Sequence, residues 1–219
     1  MPSKRYTRRP VAYLTSSEVE ALLAAPDPGT WAGRRDQALL LIAVQCGLRA
    51  SELIGLCCGD IVFGSGAHVR CEGKGRKQRC TPLRKDTVKA LRNWLKVLQG
   101  DPMDPLFPSA RGKSLTHDGL AYLVSKHVST ACEYCPSLQK KRVTPHVLRH
   151  TAAMGLLQQG VDRAVIALWL GHESMETTTM YLHADMQLKE MALAKTTPTN
   201  QPVKRYRPED EVLAFLRSL

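Results

Sequence analysis

Aromatic side chains make up only 5% of this chain of 219 residues. The stacking platforms that usually hold single-stranded nucleic acid are therefore poorly supplied. Long apolar runs are also missing. The longest, residues 38–44, falls far short of the roughly 20 residues a membrane-spanning helix needs. The N-terminal SKRYTRRP has no apolar stretch behind it to make a signal sequence. A soluble, cytoplasmic protein is expected. No carboxylate cluster suited to a divalent cation is visible. Seven cysteines, an odd number, argue against a disulfide framework. Cys46, Cys57, Cys58, Cys71 and Cys80 sit in apolar or strand-like patterns and are expected to be reduced and buried. Cys132 and Cys135 form a CxxC with His117 and His127 upstream. Without a second such pair the closed ligand set of a structural zinc site is incomplete, so neither metal nor cofactor is expected.

Positive charge, by contrast, is plentiful: the net charge is +11 and the pI about 9.5. Lys and Arg gain affinity for a polyanion by releasing its condensed counterions, so a phosphate backbone is the indicated partner. With few aromatics, double-stranded DNA gripped by its phosphates is favoured. The charge is clustered, with nine Lys or Arg between residues 70 and 92 against Glu72 and Asp86. Lys4, Arg5, Arg8 and Arg9 in the N-terminal arm, Arg76, Lys77 and Arg79 in the cluster, and Lys140, Lys141 and Arg142 further on are candidate DNA contacts.

Residues 1–12 lack periodicity and read as a basic arm or linker. Thr15, Ser16, Ser17 and Glu18 form a capping box that opens a helix through Leu23. A second helix is predicted over 32–46, with Leu39, Leu40, Ile42, Ala43 and Cys46 in the core and Gly47 as its stop. A third runs over 49–56 with Leu53 and Leu56 inward. Residues 61–63, 67–72 and 77–82 read as three antiparallel strands, which puts Lys74 on a hairpin tip. Helices follow over 85–98 and 116–131. After a basic loop at 139–142, Pro145 opens a helix to Gln159 and Asp162 caps another to Leu170. Ser174 caps one that holds Tyr181. Residues 208–219 carry Val212, Leu213, Phe215 and Leu216 on one face of a last short helix. The fold class is mainly α with a small three-stranded antiparallel sheet. The main domain is expected over 13–195, followed by a linker and helix over 196–219.

Four segments carry side chains suited to phosphoryl chemistry: GLRASEL with Arg49, EGKGRKQR with Lys74, TPHVLRHT with His146 and Arg149, and LGHESMETTTMYLH with His172 and Tyr181. A phosphodiester resists attack because its charge repels nucleophiles and its leaving alkoxide is poor. Two guanidinium forks, Arg49 and Arg149, can bind non-bridging oxygens and remain charged throughout. Tyr181 can serve as nucleophile if neighbouring groups ease its ionisation. His146, one helical turn before Arg149, shares its face and can accept a proton. His172 can donate to the phosphate from a turn, and Lys74 can protonate the leaving oxygen. Glu52, three residues after Arg49, is suited to orienting it, and His150 to a supporting role.

These segments, in this order, resemble the tyrosine recombinase (phage integrase) family over roughly residues 12–190. The family pattern is Arg in GLRxxEL, Lys in GKGxKxR, then HxxR, a GH or GW pair, and Tyr about nine residues after it. These fall on Arg49, Lys74, His146 with Arg149, His172 and Tyr181. The resemblance implies the recombinase catalytic-domain fold and a 3′ phosphotyrosyl intermediate with a free 5′ hydroxyl. It further implies strand exchange without ATP or cofactor, and a homo-tetramer on DNA in which the tail docks on a neighbouring subunit. Family members usually carry a helical core-binding domain ahead of this region. Only a stub precedes it in this sequence, which is either a piece of a longer protein or a naturally short member that relies on a partner protein or on the basic arm for that grip. A DNA-binding accessory protein that does not cut, or a type IB topoisomerase-like relaxing enzyme, are the alternatives.

Overall fold

The first helix is set by the residues predicted to open it. The Thr15 hydroxyl accepts from the Glu18 amide at 3.4 Å, and the Glu18 carboxylate accepts from the Thr15 amide at 2.8 Å. The computed structural model describes residues 11–64, 66–73 and 78–171, all within the unit Met1–Ala184. The N-terminal arm, the helix expected to hold Tyr181 and the helix expected over 208–219 lie outside the described residues.

In chain order the helices are α1 (Ser16–Ala24), α2 (Trp31–Cys46), α3 (Ala50–Ile54), α4 (Lys85–Leu98), α5 (His117–Ala131), α6 (Pro145–Gln158) and α7 (Arg163–Leu170). Between α3 and α4 lie the strands β1 (Ile61–Val62), β2 (His68–Glu72) and β3 (Gln78–Pro82), an antiparallel sheet in that order. The mainly helical fold with a small antiparallel sheet is the one the sequence predicts. Polar side chains close the N-termini, each accepting a backbone amide: Thr30 from Gly33, Thr116 from Gly119, Thr144 from Val147 and Asp162 from Ala164.

Helix α2 runs through the middle, packed against α4, α6 and α1. Leu39, Leu40, Ile42 and Cys46 are fully buried, and Ala43, Leu53 and Leu56 are buried with them. Trp94 fills the space between α4 and the following loop, where its indole donates to the Leu106 carbonyl at 2.8 Å. Buried His127 is bonded through Nε2 to Asp36 at 2.8 Å, while Arg35 holds the other Asp36 oxygen. Among the described residues no group of three or more His, Cys, Asp or Glu could hold a metal ion, and no helix could cross a membrane.

Three details differ from the sequence reading. Helix α3 is shorter, because Arg49 caps it in an extended conformation and Gly55 ends it. A 3-10 helix, Pro136–Lys140, occupies part of the expected basic loop. Cys80 is exposed and Cys57 half-buried, where both were expected to be buried. In the β2–β3 register Val69 faces Thr81 and Cys71 faces Arg79. Since side chains alternate across a strand, it is Arg79 and Thr81 that turn inward.

Glu18, 1% exposed, ties the domain's start to the segment before α6. Its carboxylate accepts from Ser137 at 2.7 Å and from Lys141 at 2.6 Å, and Lys141 also donates to the Tyr13 carbonyl. Burial alone would raise the Glu18 pKa, but hydrogen bonds from Lys141, Thr15 and Ser137 outweigh it and lower the pKa. A carboxylate held below its unfolded value adds stability that is present above that value and lost as pH falls through the folded one. Glu18→Gln should therefore cost about 2 kcal/mol in urea melts at pH 7, and the gap to wild type should narrow below about pH 4.3. A gap independent of pH would contradict the ionised pair.

Candidate active site

Gly47 ends α2 in the left-handed conformation (φ 61°), where a side chain would be strained. A Cβ there would lie 2.6 Å from Leu170 and 3.0 Å from Ala152. The close approach brings the end of α2 against α6 and α7. Arg149, 5% exposed on α6, uses it: Nη1 donates to the Gly47 carbonyl at 2.6 Å and Nη2 to the Leu170 carbonyl at 2.8 Å.

Arg49 arrives from the cap of α3. Its Nη2 donates to the Gly171 carbonyl at 3.0 Å and its Nη1 to Glu52 Oε1 at 2.9 Å. The Arg49 amide donates to Glu52 Oε2 at 2.7 Å, the capping-box bond of α3. Residues 100 positions apart thus present their guanidinium groups to consecutive carbonyls, Leu170 and Gly171. A helix C-terminus suits them, since its last carbonyls lack partners within the helix and carry partial negative charge.

Glu52 also holds Arg79. Arg79 Nη1 donates to Oε1 at 2.9 Å and Nη2 to Oε2 at 2.7 Å. Burial pushes the Glu52 pKa up, but hydrogen bonds from Arg79 and the Arg49 backbone outweigh it, helped by charge, and hold it at about 2. The sequence reading puts Arg79 among the DNA contacts. Its guanidinium is instead committed to a carboxylate, with the side chain 13% exposed. The inward parity of β3 was the signal available for this, but Cys80 made the opposite parity look apolar. Lys141, another expected contact, is tied to Glu18 and Tyr13, whereas Lys140 and Arg142 are exposed.

His146 is exposed at the start of α6, with buried His150 one turn on. Their rings meet edge to face with centroids 4.1 Å apart. Partial burial first, and the Arg149 charge second, lower the His146 pKa from 6.5, so the ring is neutral at pH 7 and able to accept a proton. Lys74, Arg76, Lys77, His172, Tyr181 and the basic arm (Lys4, Arg5, Arg8, Arg9) lie outside the described residues. The described part of the site therefore contains two guanidinium groups, an orienting carboxylate shared with Arg79, and a neutral imidazole. One carboxylate among three guanidinium groups leaves an excess of positive charge, an environment suited to an anion with several acceptor oxygens.

Residues 12–188 match the model of the phage integrase family. The chain is 60% identical over its whole length to "Putative integrase/recombinase y4rC" of Sinorhizobium fredii, covering 66% of that protein. It is 37% identical over 175 residues to the tyrosine recombinase XerD of Pseudomonas aeruginosa, covering 78% of this chain and 56% of XerD. It therefore spans about two thirds of the first relative and a little over half of the second. The fold matches a crystal structure of the XerH site-specific recombinase bound to palindromic difH substrate in a post-cleavage complex. The TM-score is 0.74 at 25% identity, over 88% of this chain and 55% of that one. With the family model matched across most of its length, this chain belongs to the phage integrase family of tyrosine recombinases.

Proposed function

We propose that this protein is a site-specific DNA recombinase that cuts and rejoins duplex DNA by transesterification through Tyr181. The observation that carries the reading is the convergence of Arg49 and Arg149 on the Leu170 and Gly171 carbonyls. Two cations held side by side from distant parts of the chain make a site for a tetrahedral anion, and their forks stabilise the charge that builds on its oxygens. Tyr181 attacks phosphorus as His146 takes its proton. The bond to the 5′ oxygen breaks, and Lys74 protonates that oxygen. His172 donates a further hydrogen bond to the phosphate. A 5′ hydroxyl from a partner strand then attacks the phosphotyrosyl bond and restores Tyr181. One phosphoester replaces another at each step, so neither nucleotide nor cofactor is consumed.

The DNA-bound XerH complex supports duplex DNA as the partner. Exposed Lys140 and Arg142, together with the N-terminal arm, Arg76 and Lys77, are the proposed backbone contacts. Strand exchange requires several copies on paired sites, and a tetramer in the cytoplasm is the proposed working state. A further segment or a partner protein would close on the opposite face of the duplex.

The test starts from a binding site selected out of random duplexes. A nicked suicide version of that site is then incubated with the protein and run on denaturing gels. The expected result is a covalent adduct on the 3′ side of the break, mapped by peptide mass spectrometry to Tyr181. Tight binding without an adduct would instead favour the accessory reading, and relaxation of supercoils without strand exchange the topoisomerase one.

The His146 environment adds a pH expectation. Its pKa is lowered, so the imidazole becomes a usable base below pH 6.5. The single-turnover rate of adduct formation should rise with pH through an inflection below 6.5 and be near its plateau at neutral pH. His146→Gln should flatten that limb; if the limb persists in the variant, another group is the base.

A further inference from the structure

Four contacts around Glu52 form a closed ring. Arg79 grips both oxygens of Glu52 in a parallel fork. Glu52 Oε1, already used by Arg79, also accepts from Arg49 Nη1. Arg49 Nη2 continues to the Gly171 carbonyl. Gly171 in turn approaches Arg79 closely: a Cβ there would be 2.9 Å from Arg79 Nη1 and 3.2 Å from its Cδ and Cζ. Strand β3, helix α3 and the end of α7 are joined in this way through one guanidinium that is nearly buried.

The stoichiometry of the ring decides what Arg79 does. A carboxylate and a guanidinium prefer a two-point fork, which neutralises the cation and fixes its plane. Glu52 spends that fork on Arg79. Arg49 receives only Oε1 through its side chain, and the Arg49 side chain stays 36% exposed while that of Glu52 is 3% exposed. Without Arg79, only the Arg49 amide would hold Glu52 Oε2, and the buried carboxylate could turn more of its charge onto the Arg49 guanidinium and draw it away from an incoming phosphate. Arg79 also supports the face of Gly171, the residue just before His172.

We infer that Arg79 is a positioning residue of the recombinase site: by occupying Glu52 and packing under Gly171, it keeps the Arg49 fork aimed at substrate and makes no DNA contact itself. The inference rests on the proposed recombinase reading for its kinetic arm only. Arg79 acts through Glu52 and Arg49, so its removal should affect the reaction rate and leave DNA affinity nearly unchanged.

The test compares wild type, Arg79→Gln and Arg79→Lys, each first checked for a cooperative thermal transition. The salt dependence of binding to a plain duplex of mixed sequence comes first, because it needs no cleavage. A residue contacting phosphate contributes about one unit to the slope of log affinity against log salt. The expected slope for Arg79→Gln equals that of wild type, and a slope reduced by about one unit would overturn the inference. On the suicide duplex, Arg79→Gln should slow adduct formation by about 10- to 100-fold, in line with losses from removing groups that orient a ligand. Arg79→Lys should recover part of this, since it returns the charge without the fork. In a Glu52→Gln background the same change should cost less than about threefold, because the carboxylate it controls is already gone. Costs that simply multiply, or a rate within about twofold of wild type, would overturn the inference. If wild type forms no adduct at all, the recombinase reading fails while the salt slope still decides the DNA contact. The Arg49 Nε–Hε signal in NMR spectra then decides the rest: it should shift in Arg79→Gln, and an unshifted signal would overturn the positioning role. Should Arg79→Gln not fold, Arg79→Lys carries the rate and NMR comparisons, and Arg79→Met, which removes the charge, carries the salt slope.

Discussion

Arg149→Lys should slow single-turnover adduct formation by about 100- to 1,000-fold, the range seen when one preorganised donor to a developing oxyanion is lost. Arg149 is 5% exposed, and its plane is fixed by the Gly47 and Leu170 carbonyls. Lysine keeps the charge and fits the space, but its donors sit on one nitrogen and cannot span both carbonyls while addressing a phosphate. The substitution also leaves a buried carbonyl short of a partner, at a cost of about 1–3 kcal/mol. The comparison is therefore made well below the variant's melting temperature. The slow rate should persist at saturating DNA, which separates lost transition-state stabilisation from lost binding. A rate within about tenfold of wild type would mean that charge alone suffices at this position, contrary to the fork geometry.

The punctuation of the fold was readable in the sequence. The Thr15–Glu18 box, the glycine at position 47, Pro145 at the start of α6 and Asp162 before α7 all mark ends that the structure uses, whereas the threonine caps of α2, α5 and α6 emerged only from the structure. These signals are local, because a cap satisfies amides within its own first turn. The residue types of the site were equally visible. What joins them was not, since Arg149 reaches Gly47 only because α2 and α6 pack across the core. The parity of β3 was misread for a related reason. A strand shifted by one residue exchanges its faces, so expecting Cys80 inside put Arg79 on the outer face: the apolar look of a cysteine hid the inward place that the pairing of Cys71 with Arg79 gives it. Lys141 shows the same limit, since its anion, Glu18, lies at the far end of the chain. A basic run reveals charge, but its partners are fixed by tertiary packing.

Glu52→Ala should destabilise the protein by about 3–5 kcal/mol at pH 7, the penalty for stranding buried charge, and slow adduct formation as well. Glu52 is 7% exposed and stands between Arg79 and Arg49, so its removal leaves Arg79 nearly buried without its anion and releases the cap of α3. The pH dependence gives a second check. Its pKa is held at about 2 instead of 4.5, so its protonation equilibrium contributes about 3 kcal/mol of stability to the native state. Because the folded value is the depressed one, that contribution is complete above pH 4.5 and is lost as pH falls toward 2. Urea melts of wild type and Glu52→Gln across this window should therefore converge on acidification. Parallel curves would mean that the carboxylate is not ionised against its arginines. The two readouts also separate its roles, because lost stability affects the amount of folded enzyme, whereas a misaimed Arg49 lowers the rate of every folded molecule.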